Sequence, residues 1–125
     1  GLRAEYLTAG YYALGIAYAD AAQYDDAVTA YSSAIEQNKD NWAAYIGRAV
    51  AYHSLGKADL ANNDLDTAVS LDPKRASAIY LAGVKRRDWG DTDEGNRQIA
   101  AAIAIDPTVA TDVDAVHDGH MPLTP

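Results

Sequence analysis

Residues 11–18 read YYALGIAY, and residues 27–35 read AVTAYSSAI. In the first stretch, bulky and small residues recur at i, i+3, i+4 and i+7 from Tyr11, which places them on one face of a helix. The second stretch has the same spacing from Ala27. Both stretches therefore predict amphipathic helices, and residues 21–23 predict a break between them.

This pattern of two helices recurs at a spacing of 34 residues. When the repeats are aligned, residues 34 positions apart form a column, and each column keeps either bulky or small side chains. Three such columns are Tyr11, Tyr45 and Ile79; Gly15, Ala49 and Gly83; and Ala34, Ala68 and Ala102. Pro73 and Pro107 divide the units, because proline cannot continue a helix interior. The sequence predicts six helices, near 9–21, 25–37, 42–55, 58–71, 76–89 and 92–105.

The repeated pattern resembles that of the tetratricopeptide repeat family over residues 8–109. The matching positions are Tyr11, Leu14, Gly15, Tyr18, Ala27, Tyr31 and Ala34 in the first unit; Tyr45, Tyr52, Ala61, Leu65, Ala68 and Pro73 in the second; and Gly83, Ala102 and Pro107 in the third. The resemblance implies an all-α fold, a right-handed superhelical solenoid of antiparallel helix pairs. It also implies a non-enzymatic module that binds other proteins.

We expect residues 1–125 to form one domain made of three repeats and a cap. The predicted boundaries are 8–41 for repeat one, 42–75 for repeat two, 76–109 for repeat three, 110–118 for a capping helix and 119–125 for a flexible tail. A cap is expected because the last unit of a solenoid exposes an apolar face. Val109, Val113 and Val116 keep the spacing that would cover it.

The composition excludes several classes of function. With 10 Lys and Arg against 18 Asp and Glu, the net charge is −8, which argues against sequence-independent binding to nucleic acid or to an anionic membrane surface. The absence of cysteine excludes disulfides, thiolate zinc sites and thiol nucleophiles. The longest apolar run, 99–105, is far shorter than the ~20 residues that span a bilayer. We expect a soluble protein without membrane insertion, with the cytoplasm favoured over other compartments.

No pattern of residues indicates catalysis. The sequence contains no glycine-rich phosphate loop, HExxH motif or EF-hand spacing. His53 could act as a general base only beside a nucleophile, and the sequence identifies none. Candidate metal ligands cluster in the tail, at Asp112, Asp114, His117, Asp118 and His120. A solvated tail explains them better than a metal site does. We expect no enzymatic activity, no cofactor and no metal.

The candidate binding surface consists of residues on the first helix of each repeat that are not predicted to pack in the core. The predicted groove residues are Tyr12, Ile16, Asp20, Ile46, Val50, His53, Tyr80, Val84, Arg87 and Asp88. Most of these are apolar, which is unusual for a solvated surface. We therefore expect a concave groove that binds an apolar peptide or helix of a partner protein. The alternative is that neighbouring first helices bury much of this stripe against one another.

The resemblance also bears on the kind of partner. Chaperone-binding members of the family hold the terminal carboxylate of a peptide with Lys and Asn. The matching positions here are Tyr12, Ile16, Gly47, Ser77 and Leu81, and none can do so. We therefore do not expect a chaperone-tail receptor. A second hypothesis for function is a self-assembly or scaffold module, in which repeat edges or the groove pack against another copy or a longer chain.

Three residues depart from the family pattern. Arg48 stands where the pattern has Leu, and Arg86 where it has Tyr. We expect their aliphatic stems to pack and their charged heads to reach water, the alternative being that they offer charge to a ligand. Gly95 replaces a small alanine inside a helix and should cost about 1 kcal/mol.

Overall fold

The computed structural model describes residues 2–111 of the chain, and side chains over residues 10–111. Within that range the chain forms helices and no strand, so the predicted all-α fold of helix pairs is confirmed. The helices are α1 (Leu2–Asp20), α2 (Tyr24–Gln37), α3 (Trp42–Ser54), α4 (Ala58–Ser70), α5 (Ala76–Asp88) and α6 (Thr92–Ile105). All but α1 begin and end within one residue of the prediction, and α1 begins earlier than expected.

Consecutive helices pair within two compact units. In the first unit, Gly1–Leu71, α1 packs against α2, α3 packs against α4, and α2 also contacts α3. In the second unit, Asp72–Pro125, α5 packs against α6. The core of the first unit mixes small and large side chains, namely Ala27, Tyr31, Ala34, Ile35, Ala44 and Ala51. The small residues let the helices approach, and the large ones fill the remaining space.

The first helix of each pair ends in the same left-handed turn. Gly56 and Gly90 have φ angles of 78° and 101°, and Ala22 occupies the equivalent position with φ of 58°. In all three turns the next backbone N–H donates to a carbonyl five residues earlier, for example Gln23 N to Tyr18 O at 2.8 Å. This is the hydrogen bond that ends a helix in a Schellman motif. Glycine adopts this conformation without strain, whereas alanine does not.

We expect Ala22→Gly to raise the free energy of unfolding by about 0.5–1 kcal/mol, because it removes the strain of a left-handed alanine. Denaturant unfolding followed by circular dichroism measures the change. Ala21→Gly is the matched control, since Ala21 is also exposed and has no positive φ. A gain in both variants, or in neither, would contradict the explanation.

Each repeat closes with a side chain that caps its own turn. The Oδ1 atoms of Asn38, Asp72 and Asp106 each accept a hydrogen bond at 3.0 Å from the backbone N–H two residues later. These Asx turns explain why an Asn or Asp ends every unit.

Tyr31 of α2 lies between glycines of α1 and α3. A Cβ atom added at Gly15 would lie 2.6 Å from Tyr31 Cδ1, and one added at Gly47 would lie 2.5 Å from Tyr31 Cζ. Both helices can therefore approach the ring only because these positions carry no side chain. Desolvation by burial raises the pKa of Tyr31, with smaller contributions from Tyr12 and Asp20, so its hydroxyl stays protonated at neutral pH.

Arg48 is held by protein groups, so the prediction that its charged head reaches water is wrong. Its Nε and Nη2 atoms each donate to the Asp64 carboxylate of α4 at 2.8 Å, and Nη1 donates to Ser32 Oγ of α2 at 3.2 Å. The guanidinium also lies over the rings of Tyr45 and Tyr52, at 5.6 and 5.7 Å from their centroids. Hydrogen bonding to Asp64 raises the pKa of Arg48 further. Arg48 therefore joins three helices.

Arg86 differs from the prediction in the same way. Its side chain is buried in the second unit, and Nη1 donates to Gln98 Oε1 of α6 at 3.0 Å. Asp64 and Gln98 occupy equivalent positions in their repeats, so one second-helix column supplies the acceptor for both arginines.

The C-terminal predictions are only partly covered by the described residues. Residues 109–111 are helical and Val109 is buried. The rest of the predicted cap, including Val113 and Val116, lies outside the described residues. So do the predicted tail and its acidic and histidine cluster. Over the described part of the chain, no helix is both long and apolar enough to cross a membrane.

Candidate functional site

On α1, three of the predicted groove residues follow one another at four-residue spacing. Ile16 is 39% exposed, Asp20 is exposed and Tyr12 is half-buried. The ring of Tyr12 packs against Tyr31, with 5.9 Å between centroids and 51° between planes. Burial raises the pKa of Tyr12, so its hydroxyl is a hydrogen-bond donor at neutral pH. This face therefore offers an apolar side chain between a fixed aromatic ring and a carboxylate.

On α3, the predicted groove residues are less accessible. Val50 and His53 are half-buried, but Ile46 is buried, with 6% of its surface exposed. Ile46 thus offers a partner almost no surface, and we leave it out of the proposed contact residues. Helices α1 and α3 contact each other, which is the arrangement that the alternative hypothesis predicted for part of the stripe.

On α5, the predicted residues form a separate face in the second unit. Tyr80 and Val84 are half-buried, whereas Arg87 and Asp88 are exposed at the end of the helix. Their spacing of i, i+4, i+7 and i+8 brings them to one side. The face therefore offers apolar surface beside one cation and one carboxylate.

The two units differ in charge. Residues 2–71 carry four Lys and Arg against nine Asp and Glu, a net charge of −5, whereas residues 72–111 carry six of each. Among the groove candidates of the first unit, Asp20 is the charged residue. The candidate faces therefore carry few charges relative to their apolar surface.

The described side chains include no group of three or more His, Asp or Glu that could hold a metal ion. The candidate residues offer apolar contact from Ile16, Val50 and Val84, hydrogen bonding from Tyr12 and Tyr80, and ion pairing from the exposed charges.

Two family models match the chain. One, described as a TPR repeat, matches residues 15–56, and the other, described as a tetratricopeptide repeat, matches residues 43–75. The chain has no significant sequence match to a curated protein.

Solved structures share the fold. The Arabidopsis OM64 TPR domain has a TM-score of 0.69 at 23% identity, covering 94% of this chain and 99% of that one. The TPR2B domain of yeast Sti1, in complex with pHsp70, has a TM-score of 0.71 at 21% identity, covering 89% of each chain. The second TPR domain of human RPAP3, in complex with the HSP70 peptide SGPTIEEVD, has a TM-score of 0.68 at 20% identity, covering 91% and 98%.

Proposed function

Because the chain is a tetratricopeptide repeat protein, we propose that it is a protein-interaction module that binds an apolar peptide segment of a partner. The contact residues are those of the first helices that remain accessible. They are Tyr12, Ile16, Asp20, Val50 and His53 in the first unit, and Tyr80, Val84, Arg87 and Asp88 in the second.

The observation that carries the proposal is the exposure of Ile16 beside the ring of Tyr12. An exposed branched aliphatic side chain next to a fixed aromatic ring gives a partner side chain two apolar surfaces to contact. On α5, Val84 and Tyr80 offer a half-buried aliphatic side chain and a half-buried aromatic ring at four-residue spacing. On α1 the Tyr12 ring packs against Tyr31 in the free protein, which lowers the entropic cost of binding there.

Structures of similar fold support peptide binding as the general function. Those of yeast Sti1 and human RPAP3 are complexes with Hsp70-derived ligands. This chain lacks cationic and amide side chains at the positions where chaperone-binding relatives hold a terminal carboxylate. We therefore expect its ligand to be anchored by apolar side chains rather than by a free carboxylate.

The test begins with a displayed library of random short peptides, selected against the chain and measured by fluorescence anisotropy. We expect apolar peptides to be enriched, and Ile16→Asp or Val84→Asp to weaken their binding about tenfold or more. Raising the salt concentration from about 0.05 to about 0.5 M should change Kd less than about threefold, since apolar contact is not screened.

Leu60→Asp is the matched control, because Leu60 is exposed to a similar extent on the second helix α4. It introduces the same charge away from the proposed contact residues. Equal loss of binding in the control, or selection of charged peptides that high salt releases, would refute the proposal. Circular dichroism of each variant confirms that it is folded before binding is measured.

A further inference from the structure

Tyr31 carries a buried hydroxyl that has no hydrogen-bond partner in the described part of the chain. The residue is 4% exposed. Its polar and ring interactions with described residues are the ring contact with Tyr12 and the electrostatic effects of Tyr12 and Asp20, and none of these is a hydrogen bond. Buried side-chain hydroxyls in folded proteins nearly always have a partner. This hydroxyl therefore takes its partner from outside the chain, either water or a ligand.

The hydroxyl lies at the α3 end of the Tyr31 ring, beside Gly47. A Cβ atom added at Gly47 would lie 2.9 Å from the hydroxyl oxygen, whereas the nearest atoms to one added at Gly15 are carbon atoms of the ring. The hydroxyl thus occupies the place where a side chain at position 47 would begin. Gly47 is only half-buried, so this part of α3 keeps accessible surface. Tyr31 supplies a polar group at a position of α3 that has none of its own.

Two groove residues of α1 act on the same hydroxyl. The Tyr12 ring packs on the Tyr31 ring, and after desolvation by burial, Tyr12 and Asp20 are the further causes that raise the pKa of Tyr31. Ile16 lies midway between Tyr12 and Asp20, four residues from each, so all three share one side of α1. The hydroxyl is therefore close to the α1 residues that we propose contact a peptide.

The surroundings of the hydroxyl favour a neutral hydrogen-bond acceptor as its partner. Burial keeps the hydroxyl protonated by raising its pKa, so it can donate. The Asp20 carboxylate and the negative net charge of the first unit disfavour an anion beside it. A cation would lose hydration beside an uncharged phenol, whereas the exposed Asp20 can pair with it in water. A carbonyl oxygen of an amide is uncharged and a strong acceptor.

We propose that the Tyr31 hydroxyl determines specificity at the peptide site by donating a hydrogen bond to an amide carbonyl oxygen of the bound segment. The carbonyl belongs to the peptide main chain or to an Asn or Gln side chain. That the ligand is a peptide rests on the proposed function. Apolar contact at Ile16 is non-directional, whereas a carbonyl desolvated without a donor is costly. The hydrogen bond therefore fixes which residue of the peptide faces Ile16.

Tyr31→Phe tests the hydrogen bond, because it removes the hydroxyl oxygen and keeps the ring. We expect the Kd of the selected apolar peptides to rise about fivefold or more, since their carbonyl oxygen is left without a donor. The urea midpoint should stay the same or rise, because the hydroxyl has no partner in the described chain. Tyr24→Phe is the matched control and should leave Kd unchanged. Tyr24 is half-buried on the same face of α2, seven residues earlier and about 10 Å along the helix.

Peptide variants identify the source of the carbonyl. Each Asn or Gln of the selected peptide is replaced by Leu, and Kd is measured for the wild-type and Tyr31→Phe chains. A replacement that makes the two chains bind equally identifies a side-chain carbonyl. If every replaced peptide still binds the Tyr31→Phe chain more weakly, the acceptor is a main-chain carbonyl.

A small amide tests the hydroxyl without a selected peptide. N-methylacetamide supplies the amide carbonyl alone, and two-dimensional NMR follows the backbone amide resonance of Gly47. We expect a saturable shift with a midpoint at about 10–100 mM in the wild type and none in Tyr31→Phe. Acetate and methylammonium should give no such shift. If the library yields no apolar peptide but this response is present, the proposed function fails and the donor site remains.

Three results would overturn the inference. They are an unchanged Kd in Tyr31→Phe, a lower urea midpoint in that variant, and the lack of a hydroxyl-dependent response of Gly47 to N-methylacetamide. Ile16→Asp reports separately on the proposed function, because it removes apolar contact and leaves Tyr31 in place. A peptide whose binding is weakened by Ile16→Asp but not by Tyr31→Phe would refute this inference alone.

Discussion

Asp64→Leu is expected to lower the free energy of unfolding by about 3 kcal/mol, the largest effect that we predict. The carboxylate accepts two hydrogen bonds from Arg48, and its side chain is only 8% exposed. Removing it leaves a guanidinium among the rings of Tyr45 and Tyr52 without its counter-charge. Breaking a buried ion pair by removing one partner costs about 3–5 kcal/mol, and the partial exposure of Arg48 places the loss at the lower end.

A double-mutant cycle separates the ion pair from simple loss of packing. In Arg48→Met with Asp64→Leu, no charge is left unpaired, so we expect the double variant to be more stable than Asp64→Leu alone. Urea unfolding of the wild type, the two single variants and the double variant gives the four free energies. Asp59→Leu, the same change at an exposed position of α4, should cost at most about 1 kcal/mol through the helix dipole. A double variant whose loss equals the sum of the two single losses would show that the pair is not coupled.

Gly95→Ala is expected to destabilise the chain by about 2 kcal/mol, although alanine is the better helix former. A Cβ atom at Gly95 would lie 2.7 Å from both Arg87 N and Gly83 O, which are backbone atoms of α5. Backbone atoms cannot rotate away, so α5 would have to move. Overpacking of this kind costs about 1–3 kcal/mol and outweighs the helix-propensity gain of about 1 kcal/mol.

The same substitution at Gly10 is expected to have the opposite effect on stability. Gly10 is exposed in α1, and an added Cβ would meet no atom within 4 Å. Gly10→Ala should therefore raise the free energy of unfolding by about 0.5–1 kcal/mol. Thermal or urea unfolding at low protein concentration measures both variants. If the two changes have the same sign, the close approach of α5 and α6 is not what requires glycine at position 95.

Gly95 also shows where sequence reasoning was incomplete. From the sequence, this glycine is a departure from a small-residue column that costs helix stability. The structure shows that it permits the contact with Gly83, which a methyl group would prevent. Gly47 is similar, because the register matched it to a position where relatives hold a peptide carboxylate, whereas it lies against Tyr31. The repeat register specifies that a position is small but not which neighbour requires it to be so.

The environment of the two arginines and the accessibility of Ile46 were mispredicted for a related reason. Arg48 and Arg86 replace Leu and Tyr of the family pattern, and the sequence alone suggested that their heads reach water. The sequence did contain a signal for these buried contacts. Asp64 and Gln98 are equivalent positions in the second and third repeats, and both are polar, whereas the equivalent residue of the first repeat is Ala30. Ile46 and Ile16 were predicted to line the same groove, but one is buried and the other exposed.

The sequence by itself determined the helices, their ends and their pairing into repeats. These features depend on local interactions: apolar spacing at 3.6 residues per turn, left-handed turns at Gly56 and Gly90, and Asx turns at Asp72 and Asp106. Tertiary structure alone decided which equivalent positions are covered. Leu14, Arg48 and Ala82 share one column, yet the first is exposed, the second is held by Asp64 and the third is fully buried. Burial is set by the helix that packs against a position, and a repeated register cannot specify that neighbour.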